Sequence, residues 1–200
     1  AASKGRTMIL STGIASLEDI DLAGKTCLNA GNNDIVLLKC TSSYPAPLEE
    51  ANLLTIPELK KRFGVEVGLS DHTQGIVAPV VAVSLGAKMI EKHFILDKTI
   101  KTPDAPFSFD EKEFAEMVMA VREAEQALGS DHYGLSESAI AGQKFGRSLF
   151  VVKEIKAGEP FTEENVRSIR PGFGMHPKFL TEIIGTTAKR GYKRGEHLVL

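Results

Sequence analysis

Four short apolar runs set the rhythm of the amino-terminal two thirds of the chain: MILSTG (Met8 to Gly13), IVLLKC (Ile35 to Cys40), VEVGLSD (Val65 to Asp71) and KMIEKHF (Lys88 to Phe94). They are continuous rather than strictly alternating, as suits strands buried on both faces of a parallel sheet. Helical or loop sequence follows each run. Residues 16–30 are weakly periodic; Pro57 suits an early helical turn, with Leu59 and Phe63 at core spacing before Gly64. Gly75 to Gly86 is apolar and rich in small residues, long enough for one crossover helix. Repeated βα units predict a parallel sheet wound by right-handed crossovers. The pattern alone fits a doubly wound sheet and part of a barrel equally well.

The grammar then changes twice. Asp110 can cap a helix, with Glu113 completing a capping box, and Phe114, Met117, Val118, Val121, Ala124 and Leu128 form one apolar stripe ending at Gly129. Residues 130–143 are polar, contain Gly and Ser, and carry no sustained apolar period, which predicts a linker with room for a short helical turn. From Lys144 onward, short β-type runs (SLFVV, VRSIR, HLVL) are broken by KAGE and KRGE turns and a capped turn at TEEN. The predicted organisation is therefore an α/β region over 1–129, a linker over 130–143 and a small, mostly β domain over 144–200.

Composition narrows the partners. An apolar fraction of 42%, a charged fraction of 25% and a net charge of −2 describe an ordinary globular chain. Such a balance predicts neither nucleic acid nor an anionic membrane as partner. No apolar run reaches membrane-spanning length and no signal-peptide pattern opens the sequence. Cys27 and Cys40 sit in apolar settings without metal-type spacing, so reduced thiols and a cytoplasmic location are expected. The basic groups at 60–62 and 189–194 read as solvated faces, and His132 and His197 as surface residues.

The candidate chemistry gathers at one place. His72 and His93 each stand at the carboxyl end of a predicted strand, on the sheet edge where α/β folds carry their sites. Period-2 alternation puts Ser70 with His72, and Glu91 with His93, on common faces. Asp104 follows His93 by 11 residues, in a Pro-bounded loop leaving the same edge. Two unrelated surface histidines would give the same spacing. The gathering of carboxylates around two imidazoles instead suits a divalent metal, since neutral imidazole binds first-row ions well.

LLKCTSSYP, GLSDHT, IEKHF, the PD of KTPDAPFSFD, FGRSLFVVKEIKAGE and SIRPGFGMHPKF occur in the order and at the spacings of the sialic acid synthase family. The chain resembles that family over essentially all 200 residues. CTSSYP, SDHTQGIVAP and RPGFGMHPKF are most similar to its pseudaminic acid branch. The resemblance implies the carboxyl-terminal half of a TIM (β/α)8 barrel followed by an antifreeze-like (SAF) domain. It also implies condensation of phosphoenolpyruvate with a 2,4-diacetamido-trideoxy amino-sugar aldehyde, with N-acetylneuraminate or legionaminate synthesis as the alternative within the family. A non-catalytic carbohydrate-binding module is the alternative from another class.

Residue by residue, the resemblance gives His72 and His93 the role of the two protein ligands of a divalent cation, Mn2+ or Mg2+. Asp104 and Glu91 match carboxylates that hold the sugar and bound water; for Glu91 a place in a buried barrel layer fits as well. Ser11 and Ser70 match donors to phosphoenolpyruvate, and Tyr44 matches a tyrosine of the sialic acid branch. Ser42 stands where that branch carries asparagine, which argues for a sugar other than N-acetylmannosamine. Arg170 reads from sequence as a solvated strand-end arginine, with Phe173 and His176 close by. In the family it reaches the sugar bound by the partner subunit, so a homodimer is expected, each SAF domain contacting the partner's active site. The glutamate and lysines that complete the family's site come from upstream barrel units and have no counterparts here. A half barrel with open edges is expected to be inactive alone and prone to associate.

Overall fold

The computed structural model describes residues 1–199, which form two compact units, residues 1–130 and 131–199. In the first, β1 (Met8–Ser11), β2 (Ile35–Cys40), β3 (Glu66–Asp71) and β4 (Ile90–Lys92) pair in sequence order, every neighbour parallel. Three helices cross between them: α1 (Leu17–Asn29), α2 (Thr55–Phe63) and α3 (Val77–Ser84), while α4 (Glu111–Leu128) follows β4 and its long loop. The arrangement is a parallel half-barrel, and all strands present their carboxyl ends at one edge.

Local chemistry explains where these elements start and stop. The weak periodicity of residues 16–30 is compensated by a capping box: the Ser16 side chain accepts from the Asp19 amide, and the Asp19 carboxylate accepts from the Ser16 amide. That helix buries only Ile20 and Cys27. Asp110 and Glu113 form the box predicted for α4. Its apolar stripe is less buried than its period suggests, since Met117 is the one fully buried member while Val118 and Leu128 remain exposed. The layer between sheet and helices is filled by Leu37, Ile56, Leu59, Val67, Leu69, Ala78 and Ala82. Gly68 on β3 lets strands approach closely: a Cβ there would lie 2.5 Å from the Met89 carbonyl oxygen and 2.6 Å from the Leu38 side chain.

The second unit is built on β5 (Ser148–Val151) and β6 (Val166–Ile169), an antiparallel pair with Leu149 opposite Ser168. Two short helices, α5 (Glu137–Gly142) and α6 (Leu180–Ile183), belong to it. Its core is Leu149, Val151, Ile155, Phe161, Val166, Ala188 and Leu198. The HLVL run contributes through isolated pairing, the Leu198 amide donating to the Leu149 carbonyl, rather than as a full strand. The TEEN turn is doubly capped, Thr162 and Asn165 each accepting from the other's amide. His197 is no free surface residue: it pairs with Phe150 across the sheet, the two rings 5.9 Å apart, because the β5 edge needs a partner.

Candidate active site at the carboxyl edge of the half-barrel

The carboxyl ends of β1 to β3 and Glu91 of β4, with the loops that follow β1 and β2, line an open cleft of about 560 Å³. Ser11, Thr12, Ser42, Tyr44, Ser70, His72 and Glu91 all face it. The β1 loop turns sharply at Gly13, whose φ of +38° is unfavourable for a side chain, and a Cβ there would meet the Ser42 hydroxyl at 2.8 Å. That close approach brings the β1 and β2 loops together over the cleft. Ser70, itself buried, donates to the Glu91 carboxylate at 2.6 Å across the β3–β4 pair, which joins two of the predicted residues directly. Glu91 is exposed in this structure.

The two histidines converge. Both sit one residue past their strands, and their ring centroids are 5.2 Å apart. His72 is 6% exposed, and its Nδ1 lies 2.9 Å from the Thr41 carbonyl oxygen. A carbonyl can only accept, so Nδ1 carries a proton, and in the neutral ring Nε2 is then the nitrogen with the free lone pair. His93 places Nδ1 3.5 Å from an Asp104 carboxylate oxygen, a looser approach than the His72 contact. This is the outer-shell pattern of metal-binding imidazoles, in which the second nitrogen is held by a carbonyl or carboxylate. Among the described residues no third His, Cys, Asp or Glu converges to complete a cluster with metal-binding geometry. An ion held by these two imidazoles would leave most of its coordination to water and substrate.

Aromatic rings shape the space around the imidazoles. Tyr44 lies 4.3 Å from His72, and Phe107 lies 4.9 Å from His93 and 5.6 Å from Tyr44, all centroid to centroid. Phe107 and the buried Cys40, 3.9 Å from His72 Nδ1, are site residues that the sequence pattern did not single out. An apolar residue in a loop carries no signal until its neighbours are known. Behind the site, Lys39 is half-buried and donates to the Cys40 carbonyl and the Thr41 hydroxyl; desolvation pulls its ammonium below the usual lysine range. Asp19, at the start of α1, is held below the usual carboxylate range by the Ser16 hydroxyl and amide.

The opposite face of the same strand ends holds a pair that the sequence pattern also did not single out. Asp71 and Lys92 are register partners, and their side chains, 1% and 0% exposed, meet at 2.7 Å. Lys92 also donates to the Thr73 carbonyl and stands 4.4 Å over the Phe109 ring, while Asp71 accepts from the Thr73 amide at 2.9 Å. Alternation explains the division: residues 70 and 72 face the cleft, residue 71 faces the helix layer.

Of the remaining predicted residues, Arg170 follows β6 in the second unit and is exposed, as is Phe173. His176 accepts from the Lys178 amide and caps the turn of residues 177–179. Asp104 is 57% exposed and reaches the site through His93 alone.

Residues 1–133 match the NeuB family and residues 146–199 match the SAF domain. Pseudaminic acid synthase from Campylobacter jejuni is 50% identical over 98% of this chain. The chain covers 57% of that relative's length, little more than half. N,N'-diacetyllegionaminic acid synthase from the same species is 39% identical over 98% of the chain and 59% of the relative. Among solved structures, the spore coat polysaccharide biosynthesis protein SpsE of Bacillus subtilis is 35% identical, with a TM-score of 0.61 over 99% of this chain and 61% of that one. By the match across its half-barrel, the chain belongs to the NeuB family.

Proposed function

We propose that the protein to which this chain belongs condenses phosphoenolpyruvate with a 2,4-diacetamido-trideoxy amino-sugar aldehyde to form pseudaminic acid. The observation that carries this reading is the convergence of His72, its Nδ1 held from behind by a carbonyl, and His93, its Nδ1 facing a carboxylate, beside a cleft lined by serines and a carboxylate. The 50% identity to a pseudaminic acid synthase supports the choice of sugar over the legionaminic acid branch at 39%. Ser42 fits that choice.

In the reaction the methylene carbon of phosphoenolpyruvate bonds to the aldehyde carbon, water adds to the enol carbon, and inorganic phosphate leaves. His72 and His93 would hold a divalent cation, which would supply Lewis-acid polarisation of the aldehyde oxygen. The chain's own residues do the rest of the positioning on this side of the site. Ser11 offers a hydroxyl donor to the anionic substrate, whereas the one hydroxyl proton of Ser70 goes to the Glu91 carboxylate in this structure and reaches the substrate only by leaving that carboxylate. Asp104 holds His93 and faces the sugar with its second oxygen. Tyr44 and Phe107 give the aldehyde end an aromatic wall. Arg170 contacts the sugar in the partner subunit of a homodimer, and the enzyme works in the cytoplasm.

The test is phosphate release from phosphoenolpyruvate by the intact protein with Mn2+, offered three sugars separately: the 2,4-diacetamido-trideoxy substrate of the pseudaminic series, its legionaminic epimer and N-acetylmannosamine. Release with the first sugar and little with the others is expected. Preference for either of the others overturns the sugar assignment. Sugar binding without any phosphate release identifies a carbohydrate-binding module instead.

A further inference from the structure

The buried Asp71–Lys92 pair has no place in the chemistry just described, yet it lies one residue before each histidine. Its geometry is specific. The two side chains meet at 2.7 Å across the β3–β4 register, fully enclosed. Asp71 additionally accepts from the Thr73 amide, and Lys92 donates to the Thr73 carbonyl. The three polar contacts thus grip the backbone on both sides of His72. Lys92 brings His93 with it, being its immediate neighbour at the end of β4. The His72 carbonyl is engaged from the other side by the Ala46 amide at 2.9 Å, so the loop carrying that imidazole is tied on two faces.

Each end of a parallel strand pair is free to fray beyond its last ladder bond, and β4 is only three residues long. A hydrophobic pair at these positions would pack without fixing direction. An ion pair with three directed contacts fixes both the spacing of the strand ends and the turn at Thr73. Buried ion pairs are poor sources of stability compared with apolar replacements, which makes a geometric role the better account of this one.

We propose that the Asp71–Lys92 pair is a positioning device that sets the separation and orientation of His72 and His93 from the far side of the sheet, so that its loss weakens divalent-cation binding before it weakens the fold. This rests on the reading of the two histidines as cation ligands. Neither residue touches substrate or cation; both act through the strand ends.

The test uses the intact protein, Mn2+ alone as probe, and the double variant Asp71→Asn/Lys92→Met, which removes both charges while keeping volume and the acceptor for the Thr73 amide. The single variant Lys92→Met leaves an unpaired buried carboxylate and is expected to fold poorly, so the double variant carries the test. Free Mn2+ measured by electron paramagnetic resonance should show affinity reduced about tenfold to hundredfold, the range found when outer-shell partners of metal ligands are lost. The thermal midpoint should stay close to that of the wild type. A second readout needs no metal: nitrogen-15 spectra of the imidazoles should show His72 in the Nδ1–H tautomer in the wild type and a mixture of tautomers in the double variant. A double variant that fails to fold, or that folds and keeps both wild-type Mn2+ affinity and a single His72 tautomer, overturns the proposal. If the wild type itself does not hold Mn2+, the cation reading falls, and the tautomer comparison alone decides the role of the pair.

Discussion

The two units of this chain bury different kinds of side chain. The half-barrel encloses Asn32, Ser70, Asp71, His72, Thr73 and Ser108, most of them near one edge of its sheet. Among its described residues the small β unit encloses a single polar one, Ser148, whose hydroxyl donates to the Pro171 carbonyl at 2.7 Å, and otherwise packs aliphatic and aromatic residues. The half-barrel also leaves Ile9, Leu17, Leu22 and Leu28 exposed along β1 and α1. Burying polar groups is costly unless each finds a partner, and the Thr73 hydroxyl, enclosed without one among the described residues, shows the cost is not fully met. A region that tolerates such expense is organised for chemistry, whereas one that avoids it is organised for packing. The small unit's contribution to function should then come from its surface.

Three substitutions sharpen this contrast. Leu149 is fully buried in the small unit, so Leu149→Ala should cost about 2–5 kcal/mol of stability. Chemical denaturation would record that loss, and Mn2+ affinity should stay unchanged; a cost below about 1 kcal/mol would mean the small unit is not the packed body its core implies. Next in size, Arg170→Ala should weaken use of the amino sugar by about 1.5–3 kcal/mol, the worth of one charge-assisted hydrogen bond. Steady-state kinetics would show it as roughly a tenfold to hundredfold fall in kcat/KM for the sugar, with the constants for phosphoenolpyruvate unmoved. Unaltered sugar kinetics would remove the small unit from the active site.

The smallest effect concerns acid. The Lys193 amide and the Arg190 guanidinium hold the Glu196 carboxyl below the usual glutamate range. Its folded-state pKa is therefore lower than in the unfolded chain, so its contribution is present above the ordinary glutamate range and is lost as pH falls through that range towards the folded value. Glu196 is only half-buried, and Glu196→Gln should only flatten slightly the acid limb of a stability profile of the small unit. An unchanged limb would place the acid sensitivity elsewhere.

Much of the fold could be read from the sequence because its signals are local. The four strands show as apolar runs, and the second capping box as Asp110 with Glu113. The approach of His72 and His93 follows from strand-end positions in a βαβ unit. The first capping box, at Ser16 and Asp19, was equally local and was hidden only by the weak apolar period behind it. What could not be read is what depends on register or on loop closure. Asp71 and Lys92 stand 21 residues apart, and only the pairing of β3 with β4 makes them partners. Phe107 reaches His93 because the loop after β4 folds back, the Phe109 amide donating to the His93 carbonyl. His197 looked solvated because its strand pairing is a single bridge with no alternation to announce it.

The most direct measurement compares condensation by the intact wild type and by His72→Ala, following phosphate release from phosphoenolpyruvate with the amino sugar and Mn2+ present. His72 lines the cleft, with the His93 ring 5.2 Å away, and no third convergent group among the described residues can replace it. Turnover should fall to background in the variant while its circular dichroism and thermal midpoint stay near those of the wild type. Turnover within about tenfold of wild type, with the fold intact, would contradict the assignment of this strand edge as the centre of the chemistry.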